Sequence, residues 1–122
     1  MHIEAFRDYC LGKAGVEETF PFDEVTLVFK VMGKMFALTG LDKEEFTVNL
    51  KADPEQSIIW RDEYHQIRPG WHMSKKHWNT VHVEDGLEES FFAELIDHSY
   101  DMVVKGLTKK LKAELEELKS KG

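Results

Sequence analysis

Val25-Thr26-Leu27-Val28-Phe29-Lys30-Val31-Met32-Gly33-Lys34-Met35-Phe36-Ala37-Leu38 is the stretch on which the fold turns. Val25, Leu27, Phe29 and Val31 alternate with Thr26, Val28, Lys30 and Met32, the period of a strand rather than of a helix. Gly33-Lys34 interrupts the run and Met35 to Leu38 resumes it, which predicts a hairpin with a tight glycine turn. After a polar connection from Gly40 to Glu45, Phe46, Val48 and Leu50 alternate with Thr47, Asn49 and Lys51. Three consecutive antiparallel strands follow from this spacing.

Helical signals lie on both sides. Upstream, Ile3, Phe6 and Cys10 share a stripe that Gly12 and Gly15 end, so a first helix is expected over about residues 2 to 12. Downstream, Asp53 is suited to accept from free N–H groups of a first turn, Pro54 has the φ of a first helical residue, and Gln56 completes a capping box. That helix runs to about Asp62. Pro69-Gly70 forces a turn, Ser74 is placed to cap one short turn through His77, and Thr80 to Val83 alternates as a strand ended by Asp85-Gly86. Leu87, Phe91, Leu95 and Ser99, widened by Phe92, Ile96, Met102 and Val103, describe a long amphipathic helix. Gly106 breaks or kinks it before Leu107, Leu111, Leu115 and Leu118 carry the stripe onward. Helix, three strands, helix, one or two strands and terminal helices make an α+β domain, an antiparallel sheet packed by helices in two layers.

A length of 122 residues suits one domain. No apolar run approaches the roughly 20 residues that cross a bilayer, and Met1 to Phe6 lacks the form of a secretion signal, so a cytoplasmic protein without membrane partners is expected. The lone Cys10 excludes an internal disulfide and any CxxC site; on the stripe of the first helix it reads as a packing residue. Residues 1 to 104 carry 10 Lys/Arg against 20 Asp/Glu, while residues 105 to 122 carry 6 Lys against 3 Glu. An acidic body opposes indiscriminate attraction to nucleic acid, so binding of that kind needs a local basic patch.

The densest chemistry lies in His65 to Val81, where Arg68, Lys75 and Lys76 interleave with Trp71 and Trp78. Cations suit phosphates and indole faces suit bases, at about 1–3 kcal/mol per stacked base. The same tryptophans are equally suited to seal a sheet. His72, His77 and His82 recur at spacings of five, but no HExxH or paired-carboxylate motif accompanies them, so no metal is assigned. A catalytic histidine needs an orienting acid and a nucleophile, and no triad is evident. Phe20-Pro21-Phe22 reads as a docking loop or a plug under the sheet, and the members of Asp97-His98-Ser99-Tyr100 face different ways on one helix.

Phe20-Pro21-Phe22-Asp23, the strand pair from Phe29 to Ala37, Leu50-Lys51-Ala52-Asp53-Pro54, Lys75-Lys76-His77-Trp78-Asn79-Thr80-Val81 and Ser99-Tyr100-Asp101 together resemble the MmcQ/YjbR family over about residues 1 to 112. Residues 113 to 122 then form a charged extension continuing the last helix. The resemblance implies a small bacterial protein with a frataxin-like (CyaY-like) fold, compared also to a double-wing DNA-binding domain. DNA binding follows from fold analogy. The resemblance carries over Lys75, Lys76, His77, Trp78 and Asn79 as a site without assigned roles, and implies neither catalytic residues nor a cofactor.

Three readings result. In the first, a non-enzymatic DNA-binding module presents Lys30, Lys34, Lys51, Arg61, Arg68, Lys75 and Lys76 beside Trp71, His77, Trp78 and Asn79, binding weakly and with steep salt dependence. Alternation alone leaves open which face carries Lys30 and Lys51. The second is a module for a protein partner or small ligand anchored by Trp71 and Trp78. The third, a metal-handling or enzymatic role, draws on the frataxin analogy and on Glu4, Asp8, Glu17 and Glu18 near the first helix.

Overall fold

The alternation over residues 25–51 becomes three adjacent antiparallel strands in the computed structural model, which describes residues 1–121. In chain order the elements are α1 (Ile3–Leu11), β1 (Val16–Thr19), β2 (Thr26–Val31), β3 (Lys34–Gly40), β4 (Thr47–Lys51), α2 (Pro54–Glu63), β5 (Ile67–Pro69), β6 (Trp78–His82), α3 (Glu89–Lys105) and α4 (Lys109–Lys121). The strands form one six-stranded sheet in the order β1-β2-β3-β4-β6-β5, every neighbouring pair antiparallel. The fold class is α+β, as the pattern of periods implies.

The β2–β3 turn is Met32-Gly33, one residue earlier than the glycine suggests. Both have positive φ, 51° and 82°, the backbone that a two-residue hairpin turn needs to match strand twist. The ladder shifts register between Phe29 and Lys30, so that Phe29 faces Ala37 and Lys30 faces Met35, leaving Phe36 as an extra residue on β3. Phe36 and Ala37 consequently both enter the helix-side core. β2 is covered on both faces, with Leu27 and Phe29 on the helix side and Val28 in a smaller cluster on the other.

The helix-side core joins Phe6 and Cys10 of α1 and Phe92, Leu95, Ile96 and Val103 of α3 to the inward residues of the strands. Phe6 meets Phe29 edge-on at 5.3 Å and stacks on Phe92 at 5.8 Å. Each such buried ring contributes roughly 1.5–3 kcal/mol. Leu115 of α4 lies in this core too, beyond residue 112, and sits against Gly15. α2 docks on α3 through Trp60 and its C-cap residue Tyr64, whose rings lie 6.2 and 4.3 Å from that of Phe91.

Several expectations need correcting. β1 was hidden by Glu17 and Glu18, which hide the apolar alternation of an edge strand, and β5 is only three residues long. β6 begins at Trp78 rather than Thr80 and α3 begins at Glu89 rather than Leu87, while Ser74 does head a short turn through His77, by way of its carbonyl, which accepts from His77 and Trp78. At α2 the Asp53 carboxylate accepts from Glu55 and Gln56 as a cap should, but the return bond of the capping box is absent. His98 Nε2 of α3 accepts the Asp53 N–H instead, at 3.1 Å.

Candidate functional site

The helices cover one face of the sheet. On the other, alternation and register place Lys30, Val28, Leu38, Met35, Asn49, Lys51, Trp78, Thr80, His82 and Arg68 together. Lys51 lies directly opposite Trp78, and Lys30 opposite Met35. The bulge on β3 is what allows this: it returns Met35 to the open face while Phe36 and Ala37 stay in the core.

One end of this open face is capped. Trp78 packs on Val28 and Leu38, with Met35 and Met73 against them, so the loop from Gly70 to His77 folds over the sheet as a flap. Gly70 makes that approach possible, since a Cβ there would lie 3.0 Å from the Cβ and carbonyl oxygen of Trp78. The remainder of the face is a concave groove of about 610 Å³. Thr47, Asn49, Thr80 and His82 line its floor, Arg68 and Trp71 one side, and Asp42, Lys43, Glu44 and Glu45 the other. His82 Nδ1 lies 2.8 Å from a Glu45 oxygen, which ties that acidic wall to β6.

Trp71 is 70 % exposed, yet its backbone is fixed. Its N–H donates to Thr80 Oγ1 at 3.0 Å, and that hydroxyl donates to Asn49 Oδ1 at 2.6 Å. The next residue, His72, has φ 59°, a conformation costly for a residue with a Cβ, and its ring meets the indole edge-on at 4.8 Å.

The residues singled out from the sequence divide into two groups. Lys30, Lys51, Arg68 and Trp78 share the open face; Trp71, Lys75, Lys76 and His77 lie in the flap beside it, all exposed. Among the described residues none of Lys30, Lys51, Arg68, Lys75 and Lys76 has a carboxylate oxygen within 4.0 Å. Lys34, Arg61 and Asn79 do not belong with them. Lys34 pairs with Val31, whose side chain enters the helix-side core, so it leaves the hairpin tip on the opposite face from Lys30. Asn79 is buried on the helix side, its Nδ2 donating to Ser57 Oγ at 3.1 Å. Arg61 Nε donates to Asn79 Oδ1 at 2.7 Å, and its Nη2 donates to the carbonyls of Lys75 and Trp78. Burial holds the Arg61 pKa below its usual value. Arg61 and Asn79 therefore shape the flap from behind. Trp78 takes the sealing role, and Trp71 is the exposed indole.

The histidines do not gather. His72 and His77 are exposed in the flap and His82 lies on the groove floor with Glu45; no cluster of three or more potential metal ligands occurs among the described residues. Glu18 is held by Arg7, whose hydrogen bond lowers its pKa, while Glu17 alternates to the open face opposite Lys30. Burial pushes the Cys10 thiol up to about 12, leaving it an unreactive core residue. Phe20 and Phe22 are exposed, a loop rather than a plug. In α3, Asp97 meets Tyr9 and Lys13, His98 meets Asp53, Ser99 meets the sheet, and Tyr100 donates to the Ala14 carbonyl at 2.6 Å. Sequence reasoning missed the groove residues Asn49 and Thr80, because polar side chains on a strand signal only an uncovered face, and Lys43, because a charged residue in a polar connection carries no signal of its own.

Comparison with known proteins agrees with the resemblance. The family model described as YjbR matches residues 11–102. The chain is 39% identical over 95 residues to the uncharacterized protein YbdF of Escherichia coli O157:H7, covering 78% of each. It is 32% identical over 104 residues to the uncharacterized protein YjbR of Escherichia coli K12, covering 85% of this chain and 88% of that one. The crystal structure of Deinococcus radiodurans protein DR2400, with a DUF419 domain, superposes with a TM-score of 0.83 at 38% identity, over 93% of this chain and 87% of that one. A crystal structure from Pseudomonas syringae gives 0.71 at 26% identity, over 84% and 98%. Matched by that family model over most of its length and by two relatives at 39% and 32% identity, the chain belongs to the YjbR family.

Proposed function

We propose that the open sheet face binds DNA through its phosphates, as a non-enzymatic module. The observation that carries this reading is the set of five cations, Lys30, Lys51, Arg68, Lys75 and Lys76, that share the face and its flap with no carboxylate oxygen within 4.0 Å among the described residues, Glu17 standing across the ladder from Lys30. Opposing them is the acidic wall of Asp42, Glu44 and Glu45. Thr47, near that wall, and Lys51 are four residues apart on β4, about 13 Å at strand rise. This exceeds the Debye length of about 8 Å at physiological salt, so the basic end keeps its own local field while the net charge of −7 weakens the whole.

Binding is accordingly weak and falls steeply with salt. Fluorescence anisotropy of labelled oligonucleotides across a salt series tests it: saturable binding at low salt, with a log–log slope that becomes shallower by about one per phosphate-contacting cation removed in Lys51→Ala or Arg68→Ala, is the expected result. Absence of saturable binding by either single-stranded or duplex DNA ends the reading. Asp42, Glu44 and Glu45 favour a second reading, in which Trp71 anchors a small or peptide ligand carrying both charges; binding of such a zwitterionic ligand with a salt slope much shallower than that of a polyanion, lost in Trp71→Ala, would mark it.

A further inference from the structure

We infer that the groove takes an unpaired nucleobase, stacked on Trp71 with its neighbouring phosphate at Arg68; the inference rests on the DNA-binding reading and names the form of nucleic acid that the face selects. In a duplex the base faces are stacked on one another and closed to a protein ring, whereas a single strand offers each base to an aromatic platform. Trp71 has the attributes of such a platform. Its indole is 70 % exposed, which in a residue of this size leaves a large apolar surface in water without a partner.

Its backbone is nevertheless held in place, by the Asn49–Thr80–Trp71 chain of hydrogen bonds and by a turn that keeps His72 at φ 59°. A backbone already fixed beneath an exposed ring reduces what binding must order. Arg68 lies opposite Thr80 in the ladder, and Thr80 is the residue that holds Trp71, so the cation and the indole flank a common floor position. Thr47 and Asn49 extend that floor with groups that can reach base edges. A sheet face with an aromatic platform, a flanking cation and polar floor residues suits splayed bases better than the groove of a rigid duplex.

The test compares three probes at low salt by anisotropy: a labelled oligo-dT strand, a duplex of equal length and an abasic strand of equal length. The expected result is tighter binding of oligo-dT than of the other two. Trp71→Ala should weaken oligo-dT binding about 5- to 100-fold while leaving abasic binding within about twofold, and Trp71→Phe should retain most of it. Circular dichroism of Trp71→Ala should match that of the parent, because the indole contributes to neither apolar core cluster. Equal binding of all three probes, unchanged by Trp71→Ala, overturns the unpaired-base inference and leaves the phosphate reading standing. No binding of any probe overturns both.

Discussion

Arg61 on α2 donates from Nε to Oδ1 of Asn79 on β6, 2.7 Å away, and in doing so converts a charged side chain into the support of a loop. Its other donors hold the carbonyls of Lys75 and Trp78. Arg61→Ala would leave the buried Asn79 amide oxygen without a donor and the Trp78 carbonyl with only the Gly70 N–H, at a cost of about 1–3 kcal/mol. The expected outcome in urea is a lower unfolding midpoint with an unchanged m-value. Arg61→Lys should recover little, since one ammonium cannot reproduce the forked geometry.

Ser99 of α3 mends the ladder where β3 and β4 part. Its Oγ donates to the Phe36 carbonyl and accepts the Lys51 N–H at 2.8 Å, and it is fully buried. Ser99→Ala leaves both backbone groups without partners in the core, for about 1–3 kcal/mol. Hydrogen exchange at the Lys51 amide should accelerate more than at Val48, which distinguishes local opening from global destabilisation.

His98 titrates in the direction opposite to a salt-bridged histidine. Burial lowers its pKa below 6.5, outweighing the nearby Asp53 and Asp101, and Nε2 must stay unprotonated to accept the Asp53 N–H. Below pH 6.5 the unfolded chain therefore binds a proton that the native His98 resists. Its contribution to stability is complete above that pH and is lost as pH falls toward the native pKa. His98→Gln should flatten that part of the stability profile in denaturant titrations between pH 7 and 5.

Gly15 combines φ 74° with a neighbour, Leu115 Cδ1, only 2.8 Å from where a Cβ would sit. Gly15→Ala should cost about 1–3 kcal/mol from backbone strain alone, while Gly33→Ala, with the same handedness but open space, should show the strain without the clash. Thermal melts of the two variants side by side check the difference.

Cys10 offers a probe of the core. A thiol pushed up to about 12 and fully buried should not react with an aromatic disulfide reagent in native buffer and should react stoichiometrically in denaturant. Prompt native labelling would show that α1 opens.

How much of this was legible in the residues depends on where each signal was stored. Asp53-Pro54 announced α2 because capping is local chemistry, and the three central strands showed their period plainly. The reciprocal bond at Asp53 was not legible, because His98 supplies it from 45 positions away. Nor was the bulge, whose extra residue, Phe36, is as apolar as its neighbours. β1 and β5 pair at the sheet edges, where short and polar strands are the norm, so neither needed a strong pattern. At the site, composition located the cations and indoles correctly in the chain but could not sort them. Arg61 and Arg68 look alike as letters, and only the registers of α2 and β5 decide that one buttresses and the other is free to bind.

The uneven charging of the open face has a directional consequence. Lys30 and Lys51, with Glu17 across from Lys30, lie toward one end of the strands, and Asp42, Glu44 and Glu45, with Lys43 among them, toward the other, where they wall the groove. The surface thus carries a lateral dipole, roughly parallel to the strands, and a charged polymer approaching it experiences torque as well as attraction. On the DNA-binding proposal, that dipole would turn an anionic chain to cross β2 through β6 at the flap end rather than to lie lengthwise, setting the heading of the encounter before any contact is made.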